Sequence, residues 1–513
     1  VRKYQGFLLG ALVGALPSFA AATTDSEVLL AKMEAKTEEL ELELVQMRTE
    51  LAKLKGEKTP KPIKTAKSKA KPAAKSTTSP SSQKTGSNAE SSHDHTLLRN
   101  LLGIPVVSSP YYGLRAESDN AELLVNISSI NEDLRLLQQH QKLHDYLDQY
   151  GAEIPDHPII ELSGKIEAGG NVQVPYTGTA NTNGAITLNS ADLQVSPIIN
   201  RWVFGFMSLR YDGSPSTLGQ IVSNSRFFLA KGFITVGNLP AFPIYGTIGQ
   251  LFMPFGRYSS HMLSAPLPQQ IGRTLVRGVV AGYQLPSGQG PFAQVFSYLG
   301  DSISVTSVQG GANLGYVFTL SDKVSGEAAV SFISTMADSD DAQFTGASGG
   351  PLAFTGFGFN STSEGISRRV PAIDVNAKLS LGAFDFAAEY LQAVGTFGPN
   401  DLTHNGHEAR PMALHVEGNY SWNAWQIPTG IALSYGFTDD GFALNLPRHR
   451  MTTALNMAWW KNTIQTLEYR YSWNYTAGTT GAGRNGLGVL VPVPTNGTGG
   501  VENLITAQFG IYF

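Results

Sequence analysis

Three groups in this chain could make a nucleophilic triad: the Ser302 hydroxyl, the Asp401 carboxylate and the His404 imidazole. Acyl transfer needs a serine, a base to take its proton and a carboxylate to orient that base. Ser302 lies in Gly300-Asp301-Ser302, and Gly398-Pro399-Asn400-Asp401 and Asp401-Leu402-Thr403-His404 supply the other two. The last two blocks overlap at Asp401, and all fall in connections between strands, with no α/β sheet to hold an oxyanion site. Hydrolysis is set aside, and no enzymatic activity is assigned.

Histidine pairs come next. His93/His95, His404/His407 and His140/His144, the last at i, i+4 spacing, offer two nitrogens each. Zinc takes three or four protein ligands, and no zincin-type Glu accompanies these pairs. They read as ordinary exposed histidines. No phosphate-binding glycine loop ending in Lys is present, so no cofactor or metal is called for. The net charge of −4 points to no polyanionic partner, and nothing outside one Lys-rich linker suggests nucleic acid.

What remains is anion recognition. Arg273, Arg277, Arg450, Arg470 and His415 fall on the polar faces of predicted strands, and Arg368-Arg369 close a long loop. A guanidinium is a planar fork that meets a carboxylate with two parallel hydrogen bonds. These residues form the candidate site for an anionic, oxygen-rich solute. The competing reading is an ion-pair network with Asp385, Glu389, Glu417 and Glu468 that only stiffens a wall.

Strands must position these side chains. Period-2 alternation predicts them near 159–174, 184–196, 199–211, 225–237, 242–252, 269–284, 290–299 and 311–320. Others fall near 324–335, 370–382, 383–394, 410–421, 424–438, 447–459, 463–475 and 501–513. Every second connection is short, including Pro197-Ile198, Trp422-Asn423 and 460–462, whereas 253–268, 336–369, 395–409 and 476–500 are long. Short turns on one side and long loops on the other are the pattern of an outer-membrane barrel. Leu467, Tyr469, Met451, Val416 and Tyr420 then face lipid, which turns Glu468, Arg470, Arg450, Asn456, His415 and Glu417 inward. Charges belong there, because Arg or Lys on the lipid face costs about 2–4 kcal/mol at the midplane. About sixteen strands imply a water-filled lumen. The loop over 336–369, with Asp338, Asp340 and Asp341, is either a constriction or lid of that lumen or a surface loop.

The final strand, Ile505 to Phe513, places Ile505, Ala507, Phe509, Ile511 and Phe513 on one face. Its terminal Phe resembles the signal by which barrel-assembly machinery recognises outer-membrane proteins. No stretch reaches the roughly 18 apolar residues of a membrane helix. Zero Cys means that disulfides supply none of the stability.

Upstream of the strands the order is distinctive. Arg2 and Lys3, the apolar run Gly6 to Leu16 and the small residues near Ala20 read as a secretory signal over 1–22. Leu30, Met33, Thr37, Leu40, Leu44, Met47, Leu51 and Leu54 mark a heptad seam over 25–55, through which copies could self-associate, for example as a trimer. Residues 56–96 are a Lys/Pro/Ser-rich linker, a spacer that could also touch anionic envelope polymers. In 97–157, Leu123, Leu124, Ile127, Ile130, Leu134, Leu137 and Leu143 mark an amphipathic helix, N-capped by Ser118 or Asp119. That segment either plugs the barrel or lies beneath it in the periplasm. The fold class is therefore an all-β transmembrane protein, an antiparallel outer-membrane β-barrel of about sixteen strands, with an N-terminal α-helical coiled coil and a short helical segment. Its surroundings are outer-membrane lipid and lipopolysaccharide.

This order, with Ser109-Pro110-Tyr111-Tyr112-Gly113 opening the helical segment and the run from Ser109 to Gln173, resembles the LbtU family of siderophore porins, the legiobactin receptors. The resemblance implies uptake of a ferric siderophore of polycarboxylate chemistry through the barrel. It also implies a route without the larger barrel and globular plug of TonB-dependent receptors. It supplies no binding residues. A general or other solute-specific porin is the neighbouring reading.

Overall fold

A computed structural model describes residues 99–101, 104–108, 123–149, 158–174, 183–212, 226–300, 307–321, 323–346, 353–359, 366–485, 487–493 and 497–513. The signal, coiled coil and linker expected within 1–96 lie outside the described residues. The barrel opens with β1 (Ile159–Val174), β2 (Asn183–Ile198), β3 (Val203–Asp212) and β4 (Arg226–Asn238). It continues through β5 (Phe242–Phe252), β6 (Leu275–Gln284), β7 (Gly290–Leu299) and β8 (Val308–Ser321). Next come β9 (Val324–Ile333), β10 (Ala372–Leu381), β11 (Phe384–Ala393) and β12 (Met412–Ala424). The last four are β13 (Ile427–Asp439), β14 (His449–Met457), β15 (Thr463–Trp473) and β16 (Val501–Tyr512).

Each strand pairs antiparallel with the next, and β16 closes on β1 from Asn503↔Val174 to Tyr512↔Lys165. Closure is what hydrocarbon demands, since each unpaired backbone group there costs several kcal/mol. Because the strands are staggered, the foot of β1 extends past the end of β16. Val106–Ser108, in a hairpin of Arg99–Leu101 and Ile104–Ser108, pairs in parallel with Ile160–Leu162 and covers that step. Phe513 exchanges two backbone hydrogen bonds with Gly164 (2.6 and 2.9 Å). Its ring lies where a Cβ on residue 164 would come within 2.6 Å, so glycine is required at this seam.

The exterior carries the expected apolar band, with Ile166, Ile234, Ile248, Val295, Leu314, Val375, Leu433 and Leu467 exposed. Aromatic residues gather at the short-turn end. Phe384, Tyr420 and Trp422 stack in sequence, and Trp460 meets Trp459 and Phe509. The β12–β13 turn is Trp425-Gln426, not Trp422-Asn423. Both its residues have positive φ (50° and 69°), the geometry of a two-residue hairpin that matches strand twist.

The interior differs from a uniformly polar lumen. From β3 to β7 the inward faces are largely apolar and aromatic, including Phe204, Phe206, Phe233, Tyr245, Val276, Val280, Phe292, Phe296 and Tyr298. From β10 round to β1 they are polar: Asp374, Asn376, Asp385, Glu389, His415, Glu417, Asn419, Asn456, Glu468, Glu502, Glu161 and Glu167. Each half receives its own guest. The apolar half packs against α1 (Glu132–Gln149), whose Leu134, Leu136 and Leu137 join Phe204, Phe233 and Tyr245 in one core. Each such leucine is worth about 1.5–3 kcal/mol relative to exposure.

The helix starts later than its apolar periodicity suggests. Residues 123–131 are irregular, and Asn131 (φ 58°) turns the chain into the first helical turn. Ser128 uses its hydroxyl locally, accepting from the Ile130 N–H at 3.2 Å, which competes with helix formation. Nor are the helix histidines exposed. His140 is buried against Glu161 on β1 (2.8 Å) and edge-on to Phe204 (4.4 Å), and His144 is buried as well.

Candidate functional site: a bridged lumen

The polar half of the barrel holds the connection between β5 and β6, residues 253–274, folded inward. Three wall carboxylates grip it in steps of three residues. Glu389 on β11 accepts from the Arg257 N–H (2.6 Å) and the Tyr258 N–H (3.0 Å). Glu417 on β12 accepts from the His261 N–H (2.7 Å) and the Ser260 hydroxyl (2.5 Å), and its Oε1 lies 2.8 Å from His261 Nδ1. Glu468 on β15 accepts from the Leu263 N–H (2.6 Å), the Ser264 N–H (3.0 Å) and the Ser264 hydroxyl (2.5 Å). The wall is shaped for the same segment. Met262 rests on Ala432 and Ala454, and Gly436 leaves room for Leu267, whose Cδ1 would lie 2.7 Å from a Cβ there. The connection returns to β6 through α2 (Leu267–Gly272).

The two guests meet at mid-barrel. Asn126 and Ser260 exchange backbone hydrogen bonds in both directions (2.8 and 2.9 Å), and Asn126 Nδ2 donates to Gln269 Oε1 at 2.8 Å. Ser128 also donates to the Arg257 carbonyl, and Asn456 Nδ2 donates to the His261 carbonyl (2.8 Å). On the other side, α1 is fixed by charge. Lys231 Nζ on β4 lies 2.5 and 2.7 Å from the Glu132 carboxylate, with both side chains buried. Thr247 on β5 donates to Asp133 at 2.7 Å. Residues 123–149 and 253–274 therefore span the lumen between opposite walls. The interior, expected to be open and water-filled, is crossed by this bridge.

The expected binding residues divide into three groups. Arg450, Arg470 and His415 do face inward and gather around one stretch of the bridge. A small cavity there is lined by Ser264, Leu267, His415, Arg450 and Thr452, among others. Arg450 Nη1 donates to the Ala265 carbonyl (3.3 Å), and Arg470 donates to Ser264 Oγ (3.3 Å) and Glu502 (2.8 Å). His415 Nε2 lies 3.1 Å from Glu417.

Arg273 stands where the inner segment rejoins β6. It donates to Asp340 Oδ2 at 2.5 Å and covers the Phe252 ring at 4.9 Å. Asp340 begins α3 (Asp340–Gln343), and the described part of the acidic loop over 336–369 packs against α2 of the inner segment. Burial, reinforced by the neighbouring Asp340 carboxylate, pushes Asp341 up to about 8 against the pull of Arg450 and Arg273. Phe354, Phe357, Phe397, Phe442 and Tyr475 pack with it as part of the buried core. Beside them lies a small sheet of Leu402–His404, His407–Glu408, Gly481–Arg484 and Leu490–Pro492.

Arg368, Arg369 and Arg277 belong elsewhere. Arg368 is exposed among the outer loops, paired with Glu408 and bonded to Thr396. Arg369 is also exposed, bonded to Ser307 Oγ and the Val308 carbonyl (3.0 Å each). Arg277 is on the lipid-facing side of β6 with Val279 and Tyr283, and contacts Gln250 at 3.3 Å. The inner side of β6 is Val276, Gly278, Val280 and Gly282, so both faces are apolar and alternation could not assign them. The strand also begins at Leu275 after a helical turn, not at 269.

Among the triad candidates, Ser302 lies outside the described residues. Asp401 accepts from the Ser367 N–H (2.9 Å) and hydroxyl (2.5 Å), while His404 lies 3.8 Å from Asp440 and against Tyr475. Asp401 thus braces a loop and does not orient His404. The element that sequence reasoning missed is the inner segment itself. Its signal was Met253, Phe255, Met262, Leu263 and Leu267 in a connection otherwise expected to face water.

No family model matches the chain. A UPF0422 protein of Legionella pneumophila strain Philadelphia 1 is 39% identical over 422 residues, covering 82% of this chain and 79% of that protein. A UPF0422 protein of Coxiella burnetii is 34% identical over 411 residues, covering 79% of this chain and 83% of that protein. Among solved structures, an anion-selective porin from Comamonas acidovorans aligns with 70% of this chain and 100% of its own, at TM-score 0.45 and 9% identity. OmpT, an outer membrane protein of Vibrio cholerae, aligns over the same 70% of this chain and 100% of its own, with TM-score 0.41 and 11% identity.

Proposed function

The chain belongs to the UPF0422 family, and we propose that it is an outer-membrane channel for a ferric siderophore of polycarboxylate chemistry. A closed sixteen-stranded barrel with an apolar exterior is a transmembrane channel scaffold. The bridge carries the finer reading. A general porin needs an open path, whereas here two hydrogen-bonded elements meet at Asn126 and Ser260 across the lumen. Passage then requires the bridge to part, and a solute can drive that only through better contacts with the parted state. Arg450, Arg470 and Arg273 sit where a chelate carrying several carboxylates would supply such contacts, in place of Ser264, Ala265 and Asp340. The iron is cargo, held by the siderophore.

Within this proposal residues 123–149 act as the plug. Because that plug is one irregular stretch and one helix, opening is assigned to solute binding without TonB. The alternative is a channel for another anionic solute, with the same arginines. The test is uptake of labelled ferric siderophores by a deletion strain complemented with the protein or with Arg450→Gln/Arg470→Gln. Under iron limitation the wild type restores uptake, and the double variant loses ferric polycarboxylate uptake although its folded barrel is present in the outer membrane at the wild-type level. Full uptake in the deletion strain would sink the siderophore reading. Undiminished uptake by the folded double variant would mean the arginines only brace the wall.

A further inference from the structure

Arg277 and Arg369 are cations on the wrong side of the wall for transport. Arg277 points from the lipid-facing side of β6 at its outer end, and its hydrogen-bond partner is neutral Gln250 on the same face of β5. Arg369 is held at the outer end of β8 by two neutral oxygens, Ser307 Oγ and the Val308 carbonyl. Among the described residues neither is ion-paired. Strand register also links them. Gly278 pairs with Tyr298, which sets Arg277 across from Leu299, and Leu299 pairs with Val308. Two strand spacings separate β6 from β8, roughly 10 Å. Between and below them the wall exposes Leu299, Val279, Val295 and Leu314.

A cation on the lipid face costs least at the interface. Even there it gains nothing unless an anion meets it. Two arginines anchored on strands roughly 10 Å apart, above a largely aliphatic wall, match an amphiphile with more than one phosphate and several acyl chains. We propose that Arg277 and Arg369 dock the phosphorylated headgroup of lipid A in the outer leaflet, with its acyl chains on the outer faces of β6 to β8. Each guanidinium donates to one phosphate, and Gln250 and Val308 hold the forks in place. This site is separate from the lumen and does not depend on what the channel carries.

The experiment is native mass spectrometry of the full-length protein in nonionic detergent with added diphosphoryl lipid A. Heat-modifiable mobility confirms that each variant is folded. A charge-assisted hydrogen bond is worth about 1.5–3 kcal/mol, so Arg277→Gln/Arg369→Gln should lower lipid A occupancy at least about tenfold. Each single variant should fall between, and Arg277→Lys should retain most binding. Wild-type protein should bind dephosphorylated lipid A and phosphatidylglycerol more weakly than diphosphoryl lipid A. Unchanged occupancy in the folded double variant would overturn the proposal. So would equal binding of the dephosphorylated form, or equal competition by phosphatidylglycerol.

Discussion

Removing the Glu468 carboxylate should release the inner segment from one wall. In the folded protein this side chain accepts from the Leu263 N–H, the Ser264 N–H and the Ser264 hydroxyl at 2.5–3.0 Å. A hydrogen bond to a charged acceptor contributes about 1.5–3 kcal/mol net, so three independent ones would be worth about 4.5–9 kcal/mol. These three share one carboxylate and do not add fully, which brings the loss in Glu468→Ala to about 3–4 kcal/mol, one to two such bonds. At about 1.4 kcal/mol per decade the lifted population grows roughly 10²- to 10³-fold. Glu389 and Glu417 still hold residues 257–261, so the change is confined to the part near Arg450 and Arg470. Single-channel recording in planar bilayers reads this as more frequent and longer openings. Glu468→Gln, which keeps one acceptor oxygen, should fall between Ala and wild type. Unchanged open probability in a folded Glu468→Ala barrel would refute the claim that this carboxylate holds the constriction.

The opposite anchor and the acidic loop give two more expectations. Lys231→Met leaves the buried Glu132 carboxylate without its cation, which costs about 3–5 kcal/mol, so amides of 132–149 should exchange faster. Adding Glu132→Leu should restore much of the protection, and unchanged exchange in the single variant would show that the pair does not fix α1. For Asp341, a folded value near 8 lies above the ordinary 3.8, so protonation favours the docked loop. Docking is thus fully supported below about pH 4, weakens as pH rises toward 8 and is flat beyond. Limited proteolysis of residues 334–346 should be slower at pH 5.5 than at pH 8.5, and Asp341→Asn should remove the difference. Equal cleavage at both pH values in the wild type would contradict this.

The barrel was legible because alternation is a direct record of a wall with lipid on one side. Leu467, Tyr469, Met451 and Val416 are exposed outward, while Glu468, Asn456 and Glu417 are buried inward. That record fails where the inside is apolar too. On β6, Val276 and Val280 face the filled half of the lumen, so Arg277 could not be placed from its neighbours. Turn positions without glycine were also hidden, as at Trp425-Gln426, where neither residue advertises positive φ. The inward carboxylates were legible as residues but not as partners. Glu389, Glu417 and Glu468 bind the protein's own backbone, and no local pattern says which of several long connections will supply the matching N–H groups. Of the cations, Arg450, Arg470 and His415 came together because they lie on inward faces of β12, β14 and β15 at the height of residues 264–267.

On the proposed transport route, the lumen bridge must part for a solute to pass. Asn126 and Ser260 form a hydrogen-bonded antiparallel pair, for which the Cα separation is about 5.5 Å, within the range a disulfide spans. The chain has no Cys of its own, so Asn126→Cys/Ser260→Cys introduces a single reversible lock. Uptake of a labelled ferric polycarboxylate siderophore by cells carrying this variant should be lost when the bond is oxidised. It should return to the wild-type rate on addition of reductant. Undiminished uptake with the disulfide formed would show that passage does not need the bridge to part.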